Sequence, residues 1–328
     1  MTALLEAENL SKHFTLGGRF TAGGPQLLRA VDGVSLKVER GETLGLVGES
    51  GCGKSTLGRC LVRLYEVDGG TVRFEGRDIT RLGTGALRPL RPRMQMVFQD
   101  PSSSLNPRRR VADLIAEPLR VHRGADGRAR GRGEIRERLH ELMDIVGLSR
   151  EHLERFPHEF SGGQRQRIGI ARALALEPAL IVADESVSAL DVSVQAQIIN
   201  LFMDLQDRLG ITYLFIAHDL SVVRQISTRT AVMYLGSVVE TGDTEVLFRR
   251  PAHPYTEALL SAVPVAHAGE ARRERIVLKG DVPSPLRPPP GCRFHTRCPK
   301  MQERCRTEPP ALRDVGDGRV AACHYPNG

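Results

Sequence analysis

The sequence predicts an α/β fold with a largely parallel sheet, followed by a small C-terminal extension. Strand-like and helix-like segments alternate up to about residue 248, which is typical of parallel strands joined by helices. The apolar runs Leu180–Ala183 and Tyr213–Ala217 have the length of buried strands. Beyond residue 250 prolines cluster and four cysteines follow. We therefore divide the chain into a domain of residues 1–250 and an extension of residues 251–328.

Composition and charge limit the class of protein. The chain has 328 residues, of which 41% are hydrophobic and 26% are charged, and these fractions exclude a largely disordered protein. The apolar runs are too short to span a membrane, and the N-terminus lacks the pattern of a signal peptide, so we expect a cytosolic protein. Lys and Arg number 46 against 39 for Asp and Glu, which favours anionic neighbours such as nucleotides, nucleic acid or membrane lipids.

An Arg- and Gly-rich stretch lies between Arg123 and Arg138, and an amphipathic pattern typical of a helix follows it. These arginines could bind nucleic acid. A solvated face of an inserted helical subdomain is the favoured interpretation, because runs of like charge are usually exposed to water. We expect this subdomain to cover about residues 100–175.

The clearest chemical motif is a phosphate-binding loop between the predicted strand Leu44–Val47 and a helix that opens at Ser55. Glycines allow backbone N–H groups to approach phosphate oxygens, which also face the positive end of the helix dipole. We expect Lys54 to bridge the terminal phosphates and Ser55 to bind Mg²⁺. The residues expected at the nucleotide are Gly48, Glu49, Ser50, Gly51, Cys52, Gly53, Lys54, Ser55 and Thr56.

Two adjacent carboxylates, Asp184 and Glu185, follow the buried run Leu180–Ala183. They stand at the C-terminal end of the predicted strand, where α/β proteins place their sites. Two acids in such a position are costly unless a cation lies nearby. We therefore expect Asp184 to interact with Mg²⁺ and Glu185 to be the base that polarises an attacking water.

A third motif, Phe160-Ser161-Gly162-Gly163-Gln164 followed by Arg165-Gln166-Arg167, resembles the signature of ABC-type ATPases. Other elements of that family are matched once each and in the family's order, over about three quarters of the chain. They are Gln99 (resembling the Q-loop), Asp191 in Ser188–Asp191 (the D-loop), His218 (the switch histidine) and Phe14 (the aromatic that stacks on adenine). The resemblance implies a RecA-like parallel-sheet core with an antiparallel β subdomain and an inserted helical subdomain.

The family resemblance also implies an ATPase that uses ATP and Mg²⁺. Glu185, His218 and Gln99 would be catalytic, and Mg²⁺ would be held through Ser55, Gln99 and Asp184. The signature residues Ser161, Gly162, Gly163 and Gln164 would act on the ATP of an opposing subunit in a head-to-tail dimer. One position departs from the pattern: Ser186 stands where the family usually has proline, so Glu185 is expected to be held less rigidly.

Two further segments, residues 100–107 and 253–260, resemble the ATP-binding subunits of dipeptide and oligopeptide importers, and the F-type subunit in particular. That resemblance implies a companion ATPase in a heterodimer, two transmembrane permeases and an external peptide-binding protein. It places the chain peripherally on the cytoplasmic face of the inner membrane, with no nucleic-acid partner. The alternatives are an importer ATPase for a nickel chelate or another small solute, and a soluble ABC-type regulator.

The extension contains Cys292, Cys298, Cys305 and Cys323, with five, six and seventeen residues between neighbours. A reducing cytosol disfavours disulfides. The tight cysteine pairs of most zinc sites and of bacterial ferredoxins are both missing, so the spacing leaves zinc, iron–sulfur and free thiols open. The importer resemblance implies a structural [4Fe–4S] cluster on these four cysteines, with Zn²⁺ as the alternative.

Overall fold

The computed structural model describes residues 3–17, 24–100, 104–124, 127–263 and 274–327. The chain divides into two compact units. One contains Met1–Arg81 and Phe215–Gly328, and the other contains Leu82–Leu214. The two units are separated by how compactly their residues pack, whereas the predicted domains, residues 1–250 and 251–328, are separated by composition and motifs. Those boundaries stay predictions.

The N-terminal part of the first unit combines an antiparallel sheet with one parallel strand and a helix. The antiparallel sheet has the order β2-β1-β4-β5. The strand β3 is buried along its whole length, as its run of apolar residues predicts, and it leads through a loop into helix α1. The elements are β1 (Ala3–Leu16), β2 (Gln26–Glu39), β3 (Thr43–Val47), α1 (Lys54–Leu61), β4 (Gly69–Phe74) and β5 (Arg77–Asp78).

The second unit contains the predicted helical insertion and two paired parallel strands. The strand β6 pairs with β7 in parallel, with Met94 opposite Leu180. The elements are α2 (Thr84–Leu87), β6 (Met94–Val97), α3 (Val111–Val121), α4 (Arg132–Ile145), α5 (Gly162–Leu174), β7 (Leu180–Asp184), α6 (Val192–Leu209) and β8 (Thr212–Ile216), with 3₁₀ helices at Arg91–Arg93, Arg150–Glu154 and Pro157–Glu159. Strand β8 crosses the boundary between the two units along the chain.

The amphipathic pattern of the signature segment predicts a helix over Gly162–Ala175, and α5 confirms it to within one residue. The predicted apolar stripe of this helix is buried at Ile168, Ala171, Leu174 and Ala175. Burial of such a stripe stabilises a helix that its three glycines, Gly162, Gly163 and Gly169, would leave weak by propensity alone.

The C-terminal part of the first unit begins with β-strands and helices of the core and ends in the extension. Strand β9 pairs in parallel with β3, and β10 pairs antiparallel with both β9 and β12. The extension therefore adds its own strands to the sheet of this unit. The elements are α7 (Leu220–Ile226), β9 (Arg229–Tyr234), β10 (Ser237–Asp243), α8 (Thr244–Arg249), α9 (Pro254–Ser261), α10 (Glu303–Thr307), β11 (Arg313–Asp314) and β12 (Val320–Ala321).

The α/β class, with parallel strands in the core and a separate antiparallel sheet, is as the sequence predicts. Among the helices of the described ranges, none combines the length and the hydropathy that crossing a bilayer requires.

Candidate functional site

The loop Gly48–Gly53 (the phosphate loop) connects the buried strand β3 to helix α1 in the first unit. Two positions of this loop require glycine, because the neighbouring backbone leaves no room for a Cβ atom and because the φ angles are positive. At Gly48 (φ 154°) a Cβ atom would lie 2.1 Å from the carbonyl oxygen of Met233, and at Gly53 (φ 106°) one would lie 2.0 Å from that of Ala30. Only glycine fits there, because both the positive φ and the close approach exclude a side chain. The sequence assignment of a tight loop at this position is consistent with this geometry.

Lys54, the first residue of α1, is buried and points back into the phosphate loop. Its Nζ donates hydrogen bonds to the carbonyl oxygens of Gly48, at 2.8 Å, and of Glu49, at 3.2 Å. Gly53 precedes the helix in a left-handed conformation and, having no side chain, makes no side-chain capping hydrogen bond. A helix N-terminus with a cation beside it is suited to bind phosphate. Burial raises the pKa of Cys52 in the same loop, and nearby Lys54 opposes the shift.

Two other predicted residues belong to the first unit. His218 follows strand β8 and is exposed, and the next residue, Asp219, caps α7 by accepting a 2.8 Å hydrogen bond from the N–H of Ser221. Phe14 lies on β1 with its ring 5.7 Å from that of Tyr65, edge to face, and with Lys12 Nζ 5.3 Å from the ring centre. Its predicted role at adenine stays a prediction.

The second unit brings together Gln99 and Glu185, which the sequence places eighty-six residues apart. The side-chain amide of Gln99 donates a 2.7 Å hydrogen bond to a carboxylate oxygen of Glu185. Asp184 ends strand β7 and is buried, whereas Glu185 follows it in a left-handed conformation with φ of 46°. The structure therefore places the two acids differently. Asp184 is buried in strand β7, whereas Glu185 lies just beyond the C-terminal end of that strand, where it contacts Gln99.

Ser186, the residue that departs from the family's pattern, is buried directly after Glu185. Its Oγ has no hydrogen-bond partner in the part of the chain that the structure describes. The turn is held instead by Ser188, whose backbone N–H and hydroxyl both donate to the carbonyl oxygen of Glu185, at 3.1 Å and 2.9 Å.

The signature residues form the N-terminus of helix α5. Ser161 is the N-cap: its Oγ accepts from the N–H of Gln164 at 3.3 Å, and the Gln164 side chain accepts from the N–H of Ser161 at 3.1 Å. This reciprocal capping box fixes the start of the helix. The signature and the D-loop also meet within this unit. A Cβ atom at Gly163 would lie 2.3 Å from Val194 of α6, and one at Gly162 would lie 3.3 Å from Leu190.

Asp191 of the D-loop is the N-cap of α6. Its carboxylate accepts hydrogen bonds from the N–H of Val194 and the hydroxyl of Ser193, both at 3.0 Å. The hydrogen bond from Val194 is the main reason that the pKa of Asp191 lies below its usual value. Val194 thus contacts both motifs, a connection that no sequence motif signals.

The segment resembling importer subunits, residues 100–107, is described only in part, because Pro101, Ser102 and Ser103 lie outside the described residues. Of the rest, the carbonyl oxygen of Ser104 accepts a 2.9 Å hydrogen bond from Arg172 of helix α5. This contact joins the segment to the signature helix.

All four cysteines of the extension line one cavity of about 10 Å³. Cys292 and Cys305 are buried, and Cys298 and Cys323 are partly exposed. Burial raises the pKa of Cys292, to about 11, and those of Cys298 and Cys323. Among the described residues, no group of three or more His, Cys, Asp or Glu side chains has the arrangement that holds a metal ion.

Whether these cysteines fit a metal group can be tested on their backbone contacts. Cys292, Cys298 and Cys323 each accept a hydrogen bond from the backbone N–H two residues further along, and this lowers the thiol pKa against the effect of burial. Such N–H groups stabilise the thiolate, which is the form that binds metals. Residue type, residue number and the N–H donors at three of the four cysteines suit a thiolate-ligated group, but the described side chains are not gathered into the arrangement that such a group requires.

Two residues of the extension that no sequence motif assigns to the site contact the phosphate loop. The hydroxyl of Tyr255 accepts a 2.9 Å hydrogen bond from the N–H of Glu49, and Arg297 forms an ion pair with the Glu49 carboxylate at 2.8 Å. Tyr255 lies in a segment that the importer resemblance had singled out. Arg297 has no sequence signal, because a single arginine between two cysteines is an ordinary surface residue until the fold brings it to its partner.

Comparison with known families gives two matches, one to each part of the chain. The family described as "ABC transporter" matches residues 31–188. The family described as "Oligopeptide/dipeptide transporter, C-terminal region" matches residues 239–305, which include the first three cysteines of the extension.

The relatives are similar along nearly their whole length. The chain is 51% identical to "Oligopeptide transport ATP-binding protein AppF" of Bacillus subtilis, over 98% of this chain and 97% of that protein. It is 47% identical to "Di/tripeptide transport ATP-binding protein DppF" of Pseudomonas aeruginosa, over 99% and 98%. Among solved structures, a dimeric post-hydrolysis state of the ATP-binding cassette MJ0796 bound to ADP and Pi matches with a TM-score of 0.63 and 28% identity, over 73% and 98%.

Proposed function

Because this chain belongs to the ATP-binding subunits of oligopeptide and dipeptide ABC transporters, we propose that it hydrolyses ATP to drive the import of di- or oligopeptides. The observation that carries the proposal is that the similarity covers both the ATPase cassette and the C-terminal region, at about half identity over the whole alignment. A shared cassette alone would support an ABC-type ATPase of any cargo. The match beyond residue 239 favours peptides over a nickel chelate or a soluble regulator.

The residues of the site take their proposed roles from their motifs and local contacts. The phosphate loop and Lys54 bind the triphosphate, and Ser55 binds Mg²⁺ together with Asp184 and Gln99. Glu185 accepts a proton from the attacking water. The hydrogen bond from Gln99 to the Glu185 carboxylate supports a role for Gln99 in orienting this base. His218 contacts the γ-phosphate, and Phe14 stacks on adenine.

The assembly we propose is a head-to-tail dimer with a companion ATPase, in which Ser161 and Gly163 cap the γ-phosphate of the partner's ATP. The N-terminus of α5 supports this role, because its dipole and N–H groups favour an anion. Two permeases and an external peptide-binding protein would complete the transporter, with this subunit on the cytoplasmic face of the membrane. Nucleotide binding then closes the dimer and hydrolysis opens it.

We further propose that Cys292, Cys298, Cys305 and Cys323 hold a [4Fe–4S] cluster, with Zn²⁺ as the alternative. Their shared cavity and N–H donors support ligation of a metal group. The cluster would have a structural role, tying together a short, proline-rich segment that buries little apolar surface.

The test is peptide uptake by the transporter reconstituted in vesicles with its permeases and companion ATPase. Lys54→Ala should abolish ATP-dependent uptake of a labelled dipeptide, because the terminal phosphates lose their cation. Lys37→Ala is the matched control and should leave uptake unchanged. Lys37 is exposed on β2, and its Nζ forms an ion pair with Glu6 at 3.1 Å. Uptake that survives Lys54→Ala, or ATP turnover stimulated by RNA and not by permeases, would contradict the proposal.

A further inference from the structure

The C-terminal segment that contains the cysteines is bonded directly to the phosphate loop. The guanidinium group of Arg297 donates two hydrogen bonds to the carboxylate of Glu49, at 2.8 Å and 3.1 Å. Glu49 is the second residue of the phosphate loop, and Arg297 directly precedes Cys298. The Arg297 side chain is only 8% exposed, so this is a shielded bidentate pair rather than a surface one.

A second bond from the extension holds the main chain of the same loop residue. The hydroxyl of Tyr255 accepts the N–H of Glu49 at 2.9 Å. Tyr255 is fully buried, and its ring packs 5.4 Å from that of Phe294, which lies between Cys292 and Cys298. Both the side chain and the backbone of Glu49 are therefore fixed by residues beyond position 250.

A cluster of aromatic rings connects these two contacts. Tyr234, at the end of strand β9, packs against Tyr255 at 4.7 Å and against Phe294 at 5.3 Å between ring centres. The Arg297 guanidinium lies 6.0 Å from the centre of the Tyr234 ring. Since close-packed interiors transmit displacement, a shift of the segment around Phe294 would reach Glu49 through both Tyr255 and Arg297.

The loop residue that the extension holds is also a partner of Lys54. The Nζ of Lys54 donates to the carbonyl oxygen of Glu49 at 3.2 Å. Fixing Glu49 consequently orders the loop around the lysine that is proposed to meet the phosphates. A binding loop that is already ordered loses less conformational entropy when its ligand arrives, and this raises affinity.

We propose that Arg297 and Tyr255 are positioning residues for the phosphate loop, through which an ordered four-cysteine segment (residues 292–323) increases the affinity for nucleotide. The inference rests on the proposed nucleotide site. An exposed ion pair would contribute little to such coupling, but a shielded bidentate pair on a binding loop contributes more. Coupling between two sites is reciprocal, so bound nucleotide must stabilise the segment to the same extent.

The first experiment measures the dissociation constant of Mg-ADP for the full-length chain by calorimetry. Arg297→Gln should weaken binding about fivefold or more, the lower range of typical coupling between sites. Arg297→Lys should recover part of the loss, because it keeps the charge but not the bidentate geometry. Arg304→Gln is the matched control. Arg304 lies in the same segment and pairs with Glu308 at 2.7 Å, but both side chains are more than half exposed, so the affinity should not change.

A double-mutant cycle separates the pair from a general loss of folding. Once Glu49→Gln has removed the carboxylate, adding Arg297→Gln should cause little further loss of affinity, because the two residues act as one unit. Tyr255→Phe offers a smaller change, which removes one hydroxyl from a buried ring and should also weaken Mg-ADP binding. Additive effects of the Glu49 and Arg297 changes would overturn the inference.

The second experiment uses reciprocity, which a purely structural role would not produce. Saturating Mg-ADP should slow backbone hydrogen exchange in residues 292–300 of the parent chain and of Arg304→Gln, but not of Arg297→Gln. If Lys54→Ala abolishes Mg-ADP binding while Arg297→Gln binds normally, this inference alone fails. If Lys54→Ala binds as the parent does, the proposed nucleotide site fails as well.

Discussion

Gln99 holds one carboxylate oxygen of Glu185 through a 2.7 Å hydrogen bond, and Glu185 itself has the left-handed backbone conformation that few residues other than glycine adopt. Such a conformation persists only where neighbouring contacts fix it. Here Ser188 provides them, donating from its N–H and its hydroxyl to the carbonyl oxygen of Glu185. The carboxylate is therefore oriented from both its side chain and its main chain.

From this arrangement we expect Glu185→Gln to bind nucleotide and to hydrolyse it slowly. The amide keeps the shape of the side chain but cannot accept a proton, so turnover in the assembled transporter should fall about 100-fold or more. Phosphate release measures turnover, and equilibrium binding of ATP measures the intact site. Glu137→Gln, at an exposed position of α4, is the control and should behave as the parent. Turnover near the parental rate would remove Glu185 from the role of base.

Two glycines of one helix give a matched pair of stability predictions. Gly163→Ala places a methyl group 2.3 Å from Val194, whose branched side chain cannot easily move, and should lower the free energy of unfolding by about 1–3 kcal/mol. The methyl group added by Gly169→Ala would have no atom within 4 Å. This change should raise the free energy of unfolding by up to about 1 kcal/mol, which is the difference in helix propensity between glycine and alanine.

Urea unfolding of the two glycine variants, followed by circular dichroism, compares them directly. If the two alanines had equal effects, the contact between the signature helix and α6 would not constrain the helix as the structure shows.

The cysteine proposal predicts the metal content of the anaerobically purified chain. Iron and acid-labile sulfide should be present in equal amounts, and Cys305→Ala should lower both strongly because a ligand is lost. Cys60→Ala is the matched control: Cys60 is also buried but lies on α1, outside the cysteine cavity, so the iron content should stay unchanged. Zinc without sulfide would contradict the cluster and support Zn²⁺ as the bound metal. The absence of both iron and zinc would contradict metal binding at this site.

His253 predicts how stability depends on pH. Burial lowers the pKa of His253 to about 4, and its Nδ1 accepts the N–H of Tyr255 at 3.0 Å as the N-cap of α9, which requires that nitrogen to be unprotonated. The unfolded chain titrates near 6.5 and so binds more protons than the folded one as pH falls from about 6.5 to 4. Between pH 6.5 and 4, His253 should therefore lower the free energy of unfolding by up to about 1.4 kcal/mol for each unit by which the pH falls.

Thermal unfolding from pH 4 to pH 7.5 tests this, with His253→Asn as the comparison, since asparagine also caps helices but does not titrate. Nearby Glu240, whose pKa burial raises, contributes with the opposite sign in both proteins, and its hydrogen bond from the backbone N–H of residue 253 can form in both. Stability that falls equally in the parent and in His253→Asn would exclude the histidine as its cause.

Much of the local structure could be predicted from the sequence because short-range patterns dictate it. The glycine spacing of residues 48–53 identified the phosphate loop, since only glycine tolerates its positive φ angles and close backbone contacts. The 3.6-residue stripe beginning at Ile168 identified helix α5, and the apolar run before Asp184 identified β7. The roles of single residues such as Phe14 and His218 stay predictions.

Contacts between distant parts of the chain were decided by tertiary structure alone. The sequence determined which segments form strands, helices and a phosphate loop, because periodicity and glycine placement act over a few residues. It did not determine that Arg297 would meet Glu49, 248 positions away, or that Val194 would face Gly163. Such pairs form because buried charges and small residues are stable only where the packed fold supplies a complementary neighbour, and no local pattern encodes which neighbour that is.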